Sequence, residues 1–369
     1  MKARIVFSAC MVGLLAAQQA MAQQGYDIRS VGYAGEEKTA APAAPAGECS
    51  TCTGGEVCTD GTCDTGIACV DPCYQPRWTF FGDVLYLRAR DVEVPYAVQN
   101  DGTETVNQVG RVALVDPDYD LGFRIGGSFM LDCDAALAMQ YTWWRADTED
   151  SFTVDQPGAI GRWLVSHPGT LNVDSGDLDA TAEYDIEFQL VDVDYRSNFY
   201  CNGRTSLTWL AGVSYGHLEE TFASQLFGNQ NGSFVDTNIK FDGGGIRLGL
   251  EAERYARDCG LLVYGRGSAR FLAGEFDADY IQGEIPGDPV QINTGWKAGR
   301  VVSILDLELG AGWQNCNGTF RVTGGYMVSG WFNTVTTADW ISAVHNNNYN
   351  DLGDTITFDG FVARAELRY

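Results

Sequence analysis

Six cysteines crowd into the 25 residues "CSTCTGGEVCTDGTCDTGIACVDPC": Cys49, Cys52, Cys58, Cys63, Cys69 and Cys73. Thiols at that density either hold a metal ion or pair as disulfides. Cys49 and Cys52 make a CxxC, half of the usual zinc pattern, but the other spacings are irregular and no histidine accompanies them. Four further cysteines, Cys133, Cys201, Cys259 and Cys316, sit one each in the short polar stretches "DCD", "CNG", "DCG" and "NCNG". Asn-Gly, which follows Cys201 and Cys316, is the strongest short hairpin-turn signal. The only other cysteine, Cys10, lies in an N-terminal leader, so ten remain after its removal. An even number in an exported chain favours disulfides, within the segment, between turns or between molecules.

Acid–base chemistry has less to work with. Of the three histidines, His167 and His345 fall in polar loops, where Asp177, Asp179 and Asp339 could accompany them, and His217 lies near the outer end of the fifth strand. No nucleophile elbow and no metal-ligand histidine spacing is present, so the reading is a non-enzyme with no cofactor.

The elements that carry these residues are strands. Lys2 and Arg4, an apolar run from Ile5 to Ala17, and Ala20-Met21-Ala22 before Gln23 form a secretory signal with cleavage between Ala22 and Gln23. No later apolar stretch approaches the ~20 residues of a membrane helix. The net charge of -25 argues against nucleic acid as a partner. Residues 23–76 form an Ala/Pro linker and the Cys-rich segment. From there onward the chain alternates with period two, as in "FRVTGGYMVSGWF" and "VVSILDLELGAGW". Ten such runs cover roughly 78–91, 118–131, 135–152, 181–200, 204–225, 237–257, 261–281, 300–315, 319–335 and 354–369. The four short cysteine turns alternate with long polar loops. An even number of antiparallel strands, short turns at one end and long loops at the other describe a closed transmembrane β-barrel over 77–369. The fold class is therefore all-β. The last strand places Phe361 on the lipid side and ends on Tyr369, a signal suited to the barrel-assembly machinery.

The alternation turns Arg124, Glu187, Asp192, Asp194, Arg196, Arg247, Glu251, Glu253, Arg266, Arg270, Asp306, Glu308, Arg321, Arg364, Glu366 and Arg368 toward the lumen. They either select solutes or brace the wall as ion pairs. Asp306 and Glu308 form the main inward acidic pair, with Arg321 as the expected cross-strand partner. Ten strands enclose mostly side chains, and Gly244, Gly249, Gly310 and Gly312 are expected to leave gaps for a thin water path.

"FFGDVLYLRAR" (80–90), "DYDLGFRIGGSF" (118–129), "YTWW" (141–144), "DVDYRSN" (192–198) and "ILDLELGAGW" (304–313) resemble the Legionella-type major outer-membrane protein family of pore-forming barrels, more specifically members from planctomycete-like envelopes. The resemblance implies an integral outer-membrane location and a porin-like role; the Cys-rich segment, expected in the periplasm, is not part of the general pattern. The expected function is a narrow passive pore for small solutes or ions, mildly cation-preferring. The alternative is a structural surface protein with a plugged lumen, cross-linked through cysteines. Expected partners are outer-membrane lipid, the assembly machinery, small solutes or ions, and disulfide-linked or homo-oligomeric copies.

Overall fold

The computed structural model describes residues 76–100, 107–132, 134–154, 163–166, 177–202, 204–228, 232–256, 260–285, 290–315, 317–350 and 352–369. The signal, the linker and Cys49 to Cys73 lie outside them. In chain order the strands are β1 (Trp78–Arg90), β2 (Val94–Asn100), β3 (Gln108–Val115), β4 (Asp120–Asp132), β5 (Ala135–Thr153), β6 (Trp163–Ser166), β7 (Asp177–Asn202), β8 (Thr205–Gly228), β9 (Gly232–Tyr255), β10 (Leu261–Ile285), β11 (Ile292–Gln314), β12 (Phe320–Thr334) and β13 (Asp354–Arg368). One helix, α1 (Thr337–Asn346), separates β12 from β13.

Ten strands close an antiparallel ring in the order β1-β13-β12-β11-β10-β9-β8-β7-β5-β4. Closure comes from β1, which pairs with β13 on one side and β4 on the other. The two chain ends meet there: Trp78 and Tyr369 exchange backbone hydrogen bonds of 2.9 and 2.8 Å. Each ring strand overlaps one of the ten alternating runs, but β7, β9, β10 and β11 run further toward the loops than expected, β11 starting at Ile292. The elements invisible to that pattern sit in the long loops. These are the small sheet β3-β2-β6 and the helix.

Along β7 the faces change character. Toward the turn end, Val191, Val193 and Tyr195 point outward while Asp192, Asp194 and Arg196 point in. Toward the loop end, Tyr184, Ile186, Phe188 and Leu190 are buried inside, and Asp185, Glu187 and Gln189 face out. The inversion recurs on β10: Phe271 closes the outward apolar belt, and above it Glu275, Asp277 and Asp279 face out while Phe276, Ala278 and Tyr280 face in. Below the inversion the outer wall is an apolar belt containing Val84, Ile125, Met139, Val213, Leu248, Val263, Leu307 and Val322. Aromatic residues rim it at both ends, with Trp78, Phe129, Trp313 and Tyr369 on one side and Tyr86, Trp143, Tyr326 and Phe361 on the other. An outward apolar band between two aromatic girdles is the surface a lipid bilayer requires.

Glu187 is thus a correction to the sequence reading. It lies above the inversion and faces out, accepting a 3.1 Å hydrogen bond from the Trp143 indole. Gly244 also faces outward, in register with Ala273 and Tyr215.

The four cysteine turns and both described chain ends lie at the same end of the ring, because the strands on either side of each turn are antiparallel neighbours. Cys201 is placed at the turn end of β7, opposite Ser206 on β8; Cys133, Cys259 and Cys316 lie outside the described residues. A cysteine introduced at exposed Asn346, at the opposite end, should react with a membrane-impermeant maleimide on intact cells. Reaction only after lysis would reverse the orientation expected from short periplasmic turns.

Candidate functional site

Strand geometry alone brings the luminal charges together, since inward residues on neighbouring strands stand one above another. Three linked groups fill the turn-end half. In the first, Arg364 grips Asp83 through two hydrogen bonds of 2.7 and 2.8 Å. Arg124 then joins Asp83 (3.2 Å) to Glu308 (3.3 Å), and Arg266 joins Glu308 (3.1 Å) to Glu251, which also pairs with Arg196. In the second, Arg270 holds Asp192 at 2.8 and 3.0 Å and also pairs with Asp306. Arg247 bridges Asp192 and Asp194. In the third, Arg321 is bidentate on Glu253 at 2.6 and 3.0 Å, and Arg368 pairs with Glu366 at 2.6 Å.

Every pore-lining candidate except Glu187 therefore lies inside. The pairing differs at one point. Arg321 stands opposite Gln314 and bonds Glu253, not Asp306 or Glu308, because register puts Asp306 against Ser329 and Glu308 against Met327. Sequence reasoning missed Asp83, which alternation on β1 could have placed inward. It also missed the neutral donors: Ser214 and Ser329 each reach a carboxylate at 2.6 Å, and Gln140 reaches Asp192 at 2.8 Å.

The ion pairs join eight arginines to eight carboxylates. That equality decides the electrostatics: the network neutralises itself and leaves no surplus field for selecting cations. The inward glycines do not leave gaps either. A Cβ on Gly310 would stand 2.7 Å from the Tyr264 ring, and one on Gly312 would stand 2.5 Å from the Thr323 methyl. The wall is thinned at Gly310 so that Tyr264 can lie against it and donate to Glu308 at 2.9 Å. A polar cavity of about 120 Å³ survives at the turn end, between Arg196, Glu251, Arg266, Arg364 and Glu366. It has room for several waters.

The loop-end half is filled differently. Trp144, Phe188, Trp331 and Phe358 pack ring against ring at 4.7–5.8 Å. The small sheet contributes Val94, Tyr96 and Leu164 to the same core, and α1 contributes Trp340, Ile341 and Ala343. Tyr96 donates to Asp150 at 2.9 Å. The buried charge of the turn-end half thus gives way to an apolar seal.

A sequence model of the family described as the Legionella pneumophila major outer membrane protein precursor matches residues 70–361. The chain belongs to this family. Membership, with the belt and girdles, makes it an integral outer-membrane β-barrel in contact with lipid. No curated protein matches it. Among solved structures, it is similar to the outer membrane protease OmpT of Escherichia coli at 12% identity, covering 79% of this chain and 96% of that one, with a TM-score of 0.41. The Pseudomonas putida toluene transporter TodX is similar at 8% identity over 80% and 91% of the two chains, TM-score 0.26. At these scores neither likeness bears on activity.

The histidines do not gather a catalytic set among the described residues. His217 stands on the outer wall, 2.9 Å from Asp242. His345 meets the Tyr280 hydroxyl at 2.8 Å, and Asp339 lies in the first turn of the same helix while His345 lies in its last. His167 and the Asp177 side chain lie outside the described residues; Asp179 is exposed on the wall.

Proposed function

We propose that this family member is a sealed barrel: a structural protein of the outer membrane without catalytic activity, its lumen closed at rest. The self-neutralising network carries this reading. Each carboxylate of that network is committed to arginine, and a solute crossing the floor would have to strip partners from buried charges, which costs several kcal/mol per ion. The apolar seal above adds a second barrier. We further propose that the turn end faces the periplasm, where Cys201 and the other turn cysteines take part in cross-links with the Cys-rich segment or with one another. Phe361 on β13 and Tyr369 just after it, both exposed on the outer wall, would serve the assembly machinery. The narrow-pore reading draws its support from the cavity at the turn end, which would be the inner vestibule of such a path. Planar-bilayer recording separates them. The folded barrel should give a flat baseline, and regular conductance steps at neutral pH would overturn the seal in favour of the pore.

A further inference from the structure

The apolar seal is not all wall. Helix α1 leaves the barrel from β12 and returns through β13, yet its polar ties to the wall are made to β8 and β10. β12 is separated from β8 by β11, β10 and β9. Thr337, the first helical residue, donates its backbone N–H (2.9 Å) and hydroxyl (2.8 Å) to Oε2 of Glu220 on β8. Tyr184 on β7 donates to the same oxygen at 2.9 Å. The Trp340 indole donates to the Asp279 carbonyl on β10 at 3.2 Å, and His345 in the last turn meets Tyr280. Both helix ends have their own caps, Thr336 at the start and Asn347, with φ of 49°, at the finish. The helix is therefore a complete unit, tied across the mouth and outside the hydrogen-bonded ring.

We propose that α1 is a releasable strap and that Glu220 is its latch. Glu220 is 1% exposed, between inward Leu218 and Phe222, and its second oxygen, Oε1, has no hydrogen-bond partner. Burial raises its carboxyl above the ordinary range in spite of three donors, with Asp354 adding to the rise. A permanent plug would be better served by an apolar side chain of similar volume, since a half-satisfied buried carboxylate is costly. What a carboxylate adds is reversibility. It holds the helix only when the N-terminal N–H groups are presented to it, and it regains water when they leave. The released state is stabilised in a way that leucine could not match. The strap thereby divides the seal into a fixed floor and an outer part that opens by itself.

This inference takes its closed starting state from the sealed-barrel reading, but its test is separate. Hydrogen exchange of the folded barrel in lipid nanodiscs should show the amides of 337–348 exchanging together, faster than those of β8 and β10. Glu220→Ala should speed that exchange roughly ten- to a hundredfold, the loss expected for hydrogen bonds to a charged group, and leave the strands unchanged. Glu220→Leu should slow it relative to the alanine variant. If Glu220→Ala fails to fold, Thr337→Val, which removes one donor, should give a smaller rise of the same segment. Strap amides as slow as the strands, or a variant that frays only the first turn, would overturn the proposal. Conductance steps from the unaltered protein would instead overturn the seal and leave the exchange result standing.

Discussion

Replacing Arg270 by methionine should destabilise the barrel by about 3–5 kcal/mol, the usual cost of stripping one partner from a buried ion pair. Arg270 is 3% exposed and stands between two carboxylates, Asp192 and Asp306, from opposite sides of its own strand. Without it Asp192 keeps Arg247 as its one cation beside Ser214 and Gln140, and Asp306 keeps only the hydroxyls of Ser268 and Ser329. The triple change Arg270→Met, Asp192→Leu, Asp306→Leu should recover much of the loss, because apolar replacement of a whole buried cluster is often neutral. Urea unfolding in liposomes, followed by the gel shift of the folded barrel, measures both. Equal stability of the single variant and the unaltered protein would mean the pairs are hydrated, and would reopen the case for a water path.

The second large effect belongs to the outer wall. Leu307→Arg, near the middle of the belt, should cost about 2–4 kcal/mol, as for arginine at the bilayer midplane. Asp277→Arg, above the inversion and facing water, should change stability by less than about 0.5 kcal/mol. The same unfolding assay reads both. A cost for Asp277→Arg as large as for Leu307→Arg would place the bilayer higher on the wall than the inversion does.

The ring was legible in the sequence because alternation is a strong signal where one face meets lipid and the other a polar lumen. Arg247, Glu251, Arg266 and Arg270 were all placed by parity alone. Glu187 was misplaced because its charge was weighed above its parity: alternation from Asp192 and Asp194 puts it on the opposite, outer face, and past Leu190 water lies outside and the core inside, so polarity no longer marks the inner face. The consecutive apolar pair Leu190-Val191 was the available sign of that switch. The strap and the small sheet were hidden for another reason. β2, β3 and β6 are short, and α1 is a single helix inside a polar loop; their burial depends on a mouth formed by strands distant in sequence. Pairings such as Arg321 with Glu253 cross the lumen and cannot be read from neighbouring strands.

The inverted wall also acts as a draught mark. Two residues along a strand rise about 6.6 Å, or about 5 Å vertically at the usual barrel tilt. Sinking by that amount would draw Asp185, Glu187, Asp242, Glu275 and Asp359 toward hydrocarbon. Rising by it would lift apolar belt residues such as Val84 and Val301 into the headgroups. Both directions are opposed around much of the circumference, so the barrel floats at one depth and a bilayer of different thickness must deform to meet it.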